Sequence, residues 1–74
     1  MDKTKLVGRK VYYRIAAMPH ALGGNVANVE SDGLWIEGSQ FANELTTSGL
    51  SLDLKSPIVF VPFSSLAWIL TEKD

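Results

Sequence analysis

The sequence predicts an all-β fold in which a short N-terminal helix is followed by five strongly bent strands curled into a small barrel. Three observations carry this. Residues Lys10 to Ile15 alternate, with Val11, Tyr13 and Ile15 on one side and Lys10, Tyr12 and Arg14 on the other, the pattern of a half-buried strand. Glu30-Ser31-Asp32-Gly33 sets an Asp-Gly turn between two apolar runs, the clearest hairpin signal in the chain. Residues 57 to 70 hold two apolar strands joined by a tight polar break, and neither keeps a polar side. Five short strands are too few for a sandwich, which leaves a closed or nearly closed barrel.

Taken in order, Asp2 or Thr4 can cap a one- or two-turn helix that carries Leu6 and Val7 and stops at Gly8. The first strand spans Lys10 to Ile15. It ends or bulges at Met18-Pro19-His20, where proline denies a ladder donor and His20 sits exposed. Gly23-Gly24 opens a second extended segment through Val29, and its glycines let that strand curve around a small core. Leu34 to Glu37 forms the third strand. Gly38 to Thr47 reads as polar and irregular, anchored by Phe41 and Leu45. Leu50, Leu52 and Leu54 alternate with Ser51, Asp53 and Lys55, so the fourth strand begins near Leu50 and bends at Pro57. In the final strand Ala67 and Ile69 oppose Leu66, Trp68 and Leu70.

Size and composition bear on function. With 74 residues the chain is a single domain, 1–74, and a domain this small leans on disulfides, metals or self-association for stability. Cysteine is absent, and His20 alone cannot make a zinc site, which points to a homo-oligomer. The two-faced strands at the end of the chain supply its surface: Ile58, Val59, Phe60, Val61, Leu66, Ala67, Trp68, Ile69 and Leu70. Charge is polarised. Lys3, Lys5, Arg9, Lys10 and Arg14 against Asp2 give residues 1–14 a net +4, whereas residues 15–74 set Lys55 and Lys73 against seven carboxylates for a net −5. A basic end on an acidic body suits an anionic partner met by one face, or else a solvated helix face. No nucleophile–base pair and no metal-ligand spacing is visible, so catalysis, a cofactor and a small-molecule substrate are not expected. No apolar run approaches a membrane span and no cleavable leader pattern follows the basic start, which reads as cytoplasmic.

Order and spacing resemble the Sm and Sm-like (LSm, Hfq-type) family. Leu6-Val7-Gly8-Arg9-Lys10-Val11-Tyr12-Tyr13-Arg14-Ile15 is similar to that family's helix end and first strand. Gly24-Asn25-Val26-Ala27-Asn28-Val29-Glu30 is similar to its first motif, and Val61-Pro62-Phe63-Ser64-Ser65-Leu66 stands in the place of its second. The resemblance implies rings in which strand four of one subunit pairs with strand five of the next, and single-stranded RNA or DNA as the partner. The family's base pocket uses an asparagine and an Arg-Gly pair, and here Gly33-Leu34 and Phe63-Ser64 stand there instead. The expected contacts are therefore Lys3, Lys5, Arg9 and Lys10 for phosphate attraction, and Ser31, Gly33, Phe63, Ser64 and Ser65 at a rim where two turns converge. Phe63 either stacks on a base or plugs the core. Two alternatives stand beside this reading: a structural scaffold ring without nucleic acid, and a cyclic-dinucleotide receptor of the PilZ type. The second rests on Arg9, Arg14 and Asn28-Val29-Glu30-Ser31-Asp32-Gly33, in which Glu30 stands where that motif wants serine.

Overall fold

Alternation builds the first strand, β1 (Lys10–Ile15), as its pattern predicts: Val11 and Tyr13 are fully buried while Lys10 and Tyr12 face out. The computed structural model describes residues 3–73, with side chains from Lys5 onward. Around β1 lies a five-stranded antiparallel sheet with β2 (Leu22–Val29), β3 (Gly33–Glu37), β4 (Ile58–Pro62) and β5 (Leu66–Thr71) in the order β4-β3-β2-β1-β5. One α-helix, α1 (Ser39–Thr47), interrupts the strands between β3 and β4. The core is small and wholly apolar apart from one phenol: Val11, Tyr13, Leu22, Val26, Leu34, Ile36 and Val61. Among the described residues no helix is long and apolar enough to cross a membrane.

The sheet bends along β2. Its first half, Leu22 to Asn25, pairs with β1, and its second half, Val26 to Val29, pairs with β3 across a register shift at Ala27. At the bend the backbone of β3 comes so close that a Cβ on Gly24 would lie 2.4 Å from the Glu37 carbonyl oxygen. Only glycine fits there.

Several expectations are corrected. The N-terminal segment Lys3–Leu6 is a single 3-10 turn, and its expected cap Asp2 lies outside the described residues. The α-helix stands mid-chain, where the sequence reads as irregular. Glu37 accepts hydrogen bonds from the Ser39 N–H (2.9 Å) and hydroxyl, which satisfies a helix-start donor. At the other end the Gly49 N–H reaches the Thr46 carbonyl and the Leu50 N–H reaches that of Leu45, both at 3.0 Å, a paired closure around a glycine of φ 104°.

Residues 50–57 carry no regular structure, so the fourth strand begins at Ile58 and not near Leu50. Leu52, Leu54 and Pro57 instead line an apolar pocket with Phe41, Ala42 and Leu45 of α1. The two last strands do not pair with each other, and the sheet does not close into the expected barrel. They lie at opposite edges of an open sheet, joined by a 3-10 turn, Phe63–Ser65. Finally, Arg14 pairs with Trp68 but Ile15 pairs with Leu66, which leaves Ala67 as an extra residue in β5. That bulge swings Leu66 against the core, on the face that Ile69 shares as the partner of Tyr13, while Trp68 and Leu70 lie on the other face.

Candidate nucleic-acid interface

Strand polarity decides which of the expected contact residues meet. The β2–β3 turn and the β4–β5 turn do converge: the Phe63 N–H donates to the Asp32 carbonyl at 2.9 Å, and Gly33 is the cross-strand partner of Pro62. Ser31, Ser64 and Ser65 therefore gather at one end of the sheet, where the Ala16 N–H also reaches the Ser65 carbonyl at 2.8 Å. Two members of this rim are not open to a ligand in the way the sequence suggests. Gly33 is buried beneath the Phe60 ring, whose Cζ lies 2.6 Å from where a Cβ would stand. Phe63 is partly buried and packs against the core.

The basic residues lie elsewhere. Lys10 starts β1 while Ser65 meets the segment just beyond its end, so the two groups are separated by roughly 16 Å of strand. They do not form one site. Arg9 is held by the backbone: its Nε donates to the Lys5 carbonyl at 3.0 Å and its guanidinium NH1 to the Glu72 carbonyl at 2.9 Å. Lys5 is exposed, and the side chain of Lys3 lies outside the described residues.

Of the expected oligomer surface, Val61 is enclosed in the core, and Val59 and Leu66 pack against it, so Val61 offers a neighbour no side chain and the other two only a partial one. Phe60 lies over Gly33 and against Trp35, with ring centroids 5.1 Å apart. Ile58, Trp68, Ile69 and Leu70 remain exposed, as does Ala67 in the bulge.

The β4 edge has a defined set of open groups. Gly38 donates to the Pro57 carbonyl and Phe63 to the Asp32 carbonyl, which fixes the alternation of bonded pairs along β3 and β4. Val59 and Val61 consequently bond to β3, and the backbone groups of Ile58 and Phe60 point off the open edge.

The register also assembles a group that periodicity alone leaves scattered. On the outer face of the sheet Tyr12 pairs with Leu70 and Arg14 with Trp68, and the Lys10 ammonium lies 5.6 Å from the Tyr12 ring centroid. The interleaving of Lys10, Tyr12 and Arg14 is visible in the sequence. Their partner Trp68 is visible only once the β1–β5 register is known.

Two carboxylates lie on the β3–β4 half of this outer face, and one of them, Glu37, also feels the charge of Lys10. Beside Trp35, Glu30 accepts the indole N–H. The hydroxyl of Ser39, and secondly its backbone N–H, hold the Glu37 carboxyl below its ordinary range, so it stays charged. Burial, followed by the charge of Glu37, pushes the Tyr13 phenol up. Protein-family models, curated proteins and solved structures all give no match to this chain.

Proposed function

We propose that the chain is an Sm-like protein that assembles into a homo-oligomeric ring and binds single-stranded nucleic acid, RNA first, without catalysing a reaction. In this reading the bent sheet is an Sm-like barrel that is completed by its neighbours. The observation that carries it is the strand order β4-β3-β2-β1-β5, with both open edges on the two most apolar strands. An edge whose outward and inward side chains are both apolar is costly in water, and pairing β4 of one copy with β5 of the next would cover it. Ile58 at 52% and Ile69 at 36% exposure, on the two edge strands, are the kind of residues such assembly uses. The net +4 of residues 1–14 supplies the attraction for phosphates.

The test is a mobility shift of a single-stranded RNA at rising salt. Binding at low salt that weakens steeply as salt rises supports the proposal. A ring that shifts no RNA at low salt leaves the scaffold reading, which the overall charge of −1 favours.

A further inference from the structure

The outer face of the sheet carries two aromatic pairs, and their surroundings differ. Trp35 and Phe60, on β3 and β4, are partly buried, lean on one another, and have Glu30 and Glu37 on their half of the sheet. Tyr12 and Trp68, on β1 and β5, do not have their rings engaged in this way: Tyr12 is 50% and Trp68 44% exposed. They are diagonal neighbours, because Tyr12 faces Leu70 and Arg14 faces Trp68. Such positions stand roughly 7 to 8 Å apart, within reach of one another for large rings. Gly23 lies opposite Tyr12, and its missing side chain lets the ring lie down across the strand: a Cβ there would meet two ring carbons at 3.1 Å. One side of the ring thus rests on backbone. The other is open.

Cations flank this pair at both ends. At one end the Lys10 ammonium stands over the Tyr12 ring, 5.6 Å from its centroid, and Arg14, the cross-strand partner of Trp68, is held at the far end by a 3.1 Å bond from its guanidinium to the Met18 carbonyl. Among the described residues, the Glu72 carboxylate shares a surface hollow with Lys10, Tyr12 and Leu70, and the charge of Glu37 reaches Lys10. A flat ring with a cation beside it accepts any base by stacking and holds its phosphate by charge. We infer that Tyr12 and Trp68, bracketed by Lys10 and Arg14, form a stacking platform on which a single strand of nucleic acid lays two bases across β1 and β5. The inference rests on the nucleic-acid reading above but moves the base contacts from the turn rim to the sheet face. It is compatible with a ring, since pairing along the β5 backbone edge leaves outward side chains on the face of the extended sheet.

The experiment uses a W35F protein, in which Trp68 is the only tryptophan, titrated with a fluorescently labelled dodecamer of uridylate at low salt. Anisotropy reports binding and the indole emission reports stacking. The expected result is quenching of Trp68 that saturates together with the anisotropy. Y12S and W68S, checked for unchanged mass and melting midpoint, each weaken binding about ten-fold or more. K10Q lowers the slope of log affinity against log salt by about 0.7, as loss of one single-strand phosphate contact should. E72Q tightens binding. Saturating anisotropy with no change in Trp68 emission, and native affinity in Y12S, would overturn the platform while leaving nucleic-acid binding intact. Absence of binding by the native protein at low salt would overturn both. Should W68S lose mass but keep its affinity, the face belongs to a second copy of the chain and the platform is wrong.

Discussion

Gly24→Ala is the sharpest test of how the sheet is bent. The new methyl carbon would stand 2.4 Å from the Glu37 carbonyl oxygen and 2.9 Å from Cγ2 of Ile36. Comfortable contact lies near 3.5 Å, so β2 and β3 must separate by about 1 Å at this point. Neither neighbour can step aside cheaply. Ile36 is fully buried, and the Glu37 carbonyl belongs to a strand held by ladders to β2 and β4. Overpacking of this kind costs about 1 to 3 kcal/mol, and a rigid backbone oxygen places Gly24 at the upper end. Alanine returns about 0.5 to 1 kcal/mol through its lower chain entropy, leaving a net loss of about 2 kcal/mol. A chain of this length has roughly 4 to 11 kcal/mol in total, so the melting midpoint should fall by about 8 to 16 °C. Urea and thermal unfolding at fixed protein concentration measure it, with Gly23→Ala as the companion. There the Cβ meets only side chains, the Tyr12 ring at 3.1 Å and Cε of Lys10 at 3.4 Å, and a side chain can tilt away. A Gly24→Ala protein within 0.5 kcal/mol of native would refute the close approach of β2 to β3.

Three further outcomes follow from the same geometry. Tyr13 holds its proton more tightly when folded than its ordinary value of 10.0, so its contribution is intact below pH 10 and is lost as the pH climbs through the folded value, where only the unfolded phenol had been ionised. Tyr13→Phe should therefore flatten the alkaline fall in urea midpoint between pH 8 and pH 11, and an unchanged fall would remove Tyr13 as its source. Phe63→Ala should cost about 2 kcal/mol, less than a fully buried ring, with unchanged RNA affinity per folded molecule; stability held and affinity lost would instead make it a stacking residue. Ile58→Pro removes a donor that points off the β4 edge and should lower the oligomer mass while the fold survives, whereas Val59→Pro, which breaks the ladder to β3, should unfold the chain. Equal behaviour of the two prolines would show the edge assignment to be wrong.

The strands were legible because burial on one face writes itself into period-two alternation, as in Val11 and Tyr13, and because the Asp32-Gly33 turn needs those residue types. Other features depend on partners distant in sequence. α1 is rich in Ser, Thr and Asn, which read as loop, and it is fixed by the Glu37 carboxylate before it and the Gly49 closure behind it. Its Phe41 and Leu45 were recognisable as anchors but not as one helical face. Leu50, Leu52 and Leu54 alternate as a strand does, yet residues 50–57 pair with no strand, and Leu52 and Leu54 line a pocket beside α1. The bulge at Ala67 left no mark in composition, and it alone decides that Leu66 faces the core and Trp68 does not. For the site, the sequence supplied the right residue types but not their distribution: basic residues at one end of β1, the serine rim at the other, and an aromatic pair between them.

The mass of the native protein in solution, by light scattering at micromolar concentration, tests the central claim most directly. Assembly through the β4 and β5 edges predicts a single species at an integral multiple of 8.1 kDa that persists on dilution through the micromolar range. A stable, monodisperse monomer of 8.1 kDa would contradict it, because the apolar edges would then need no partner.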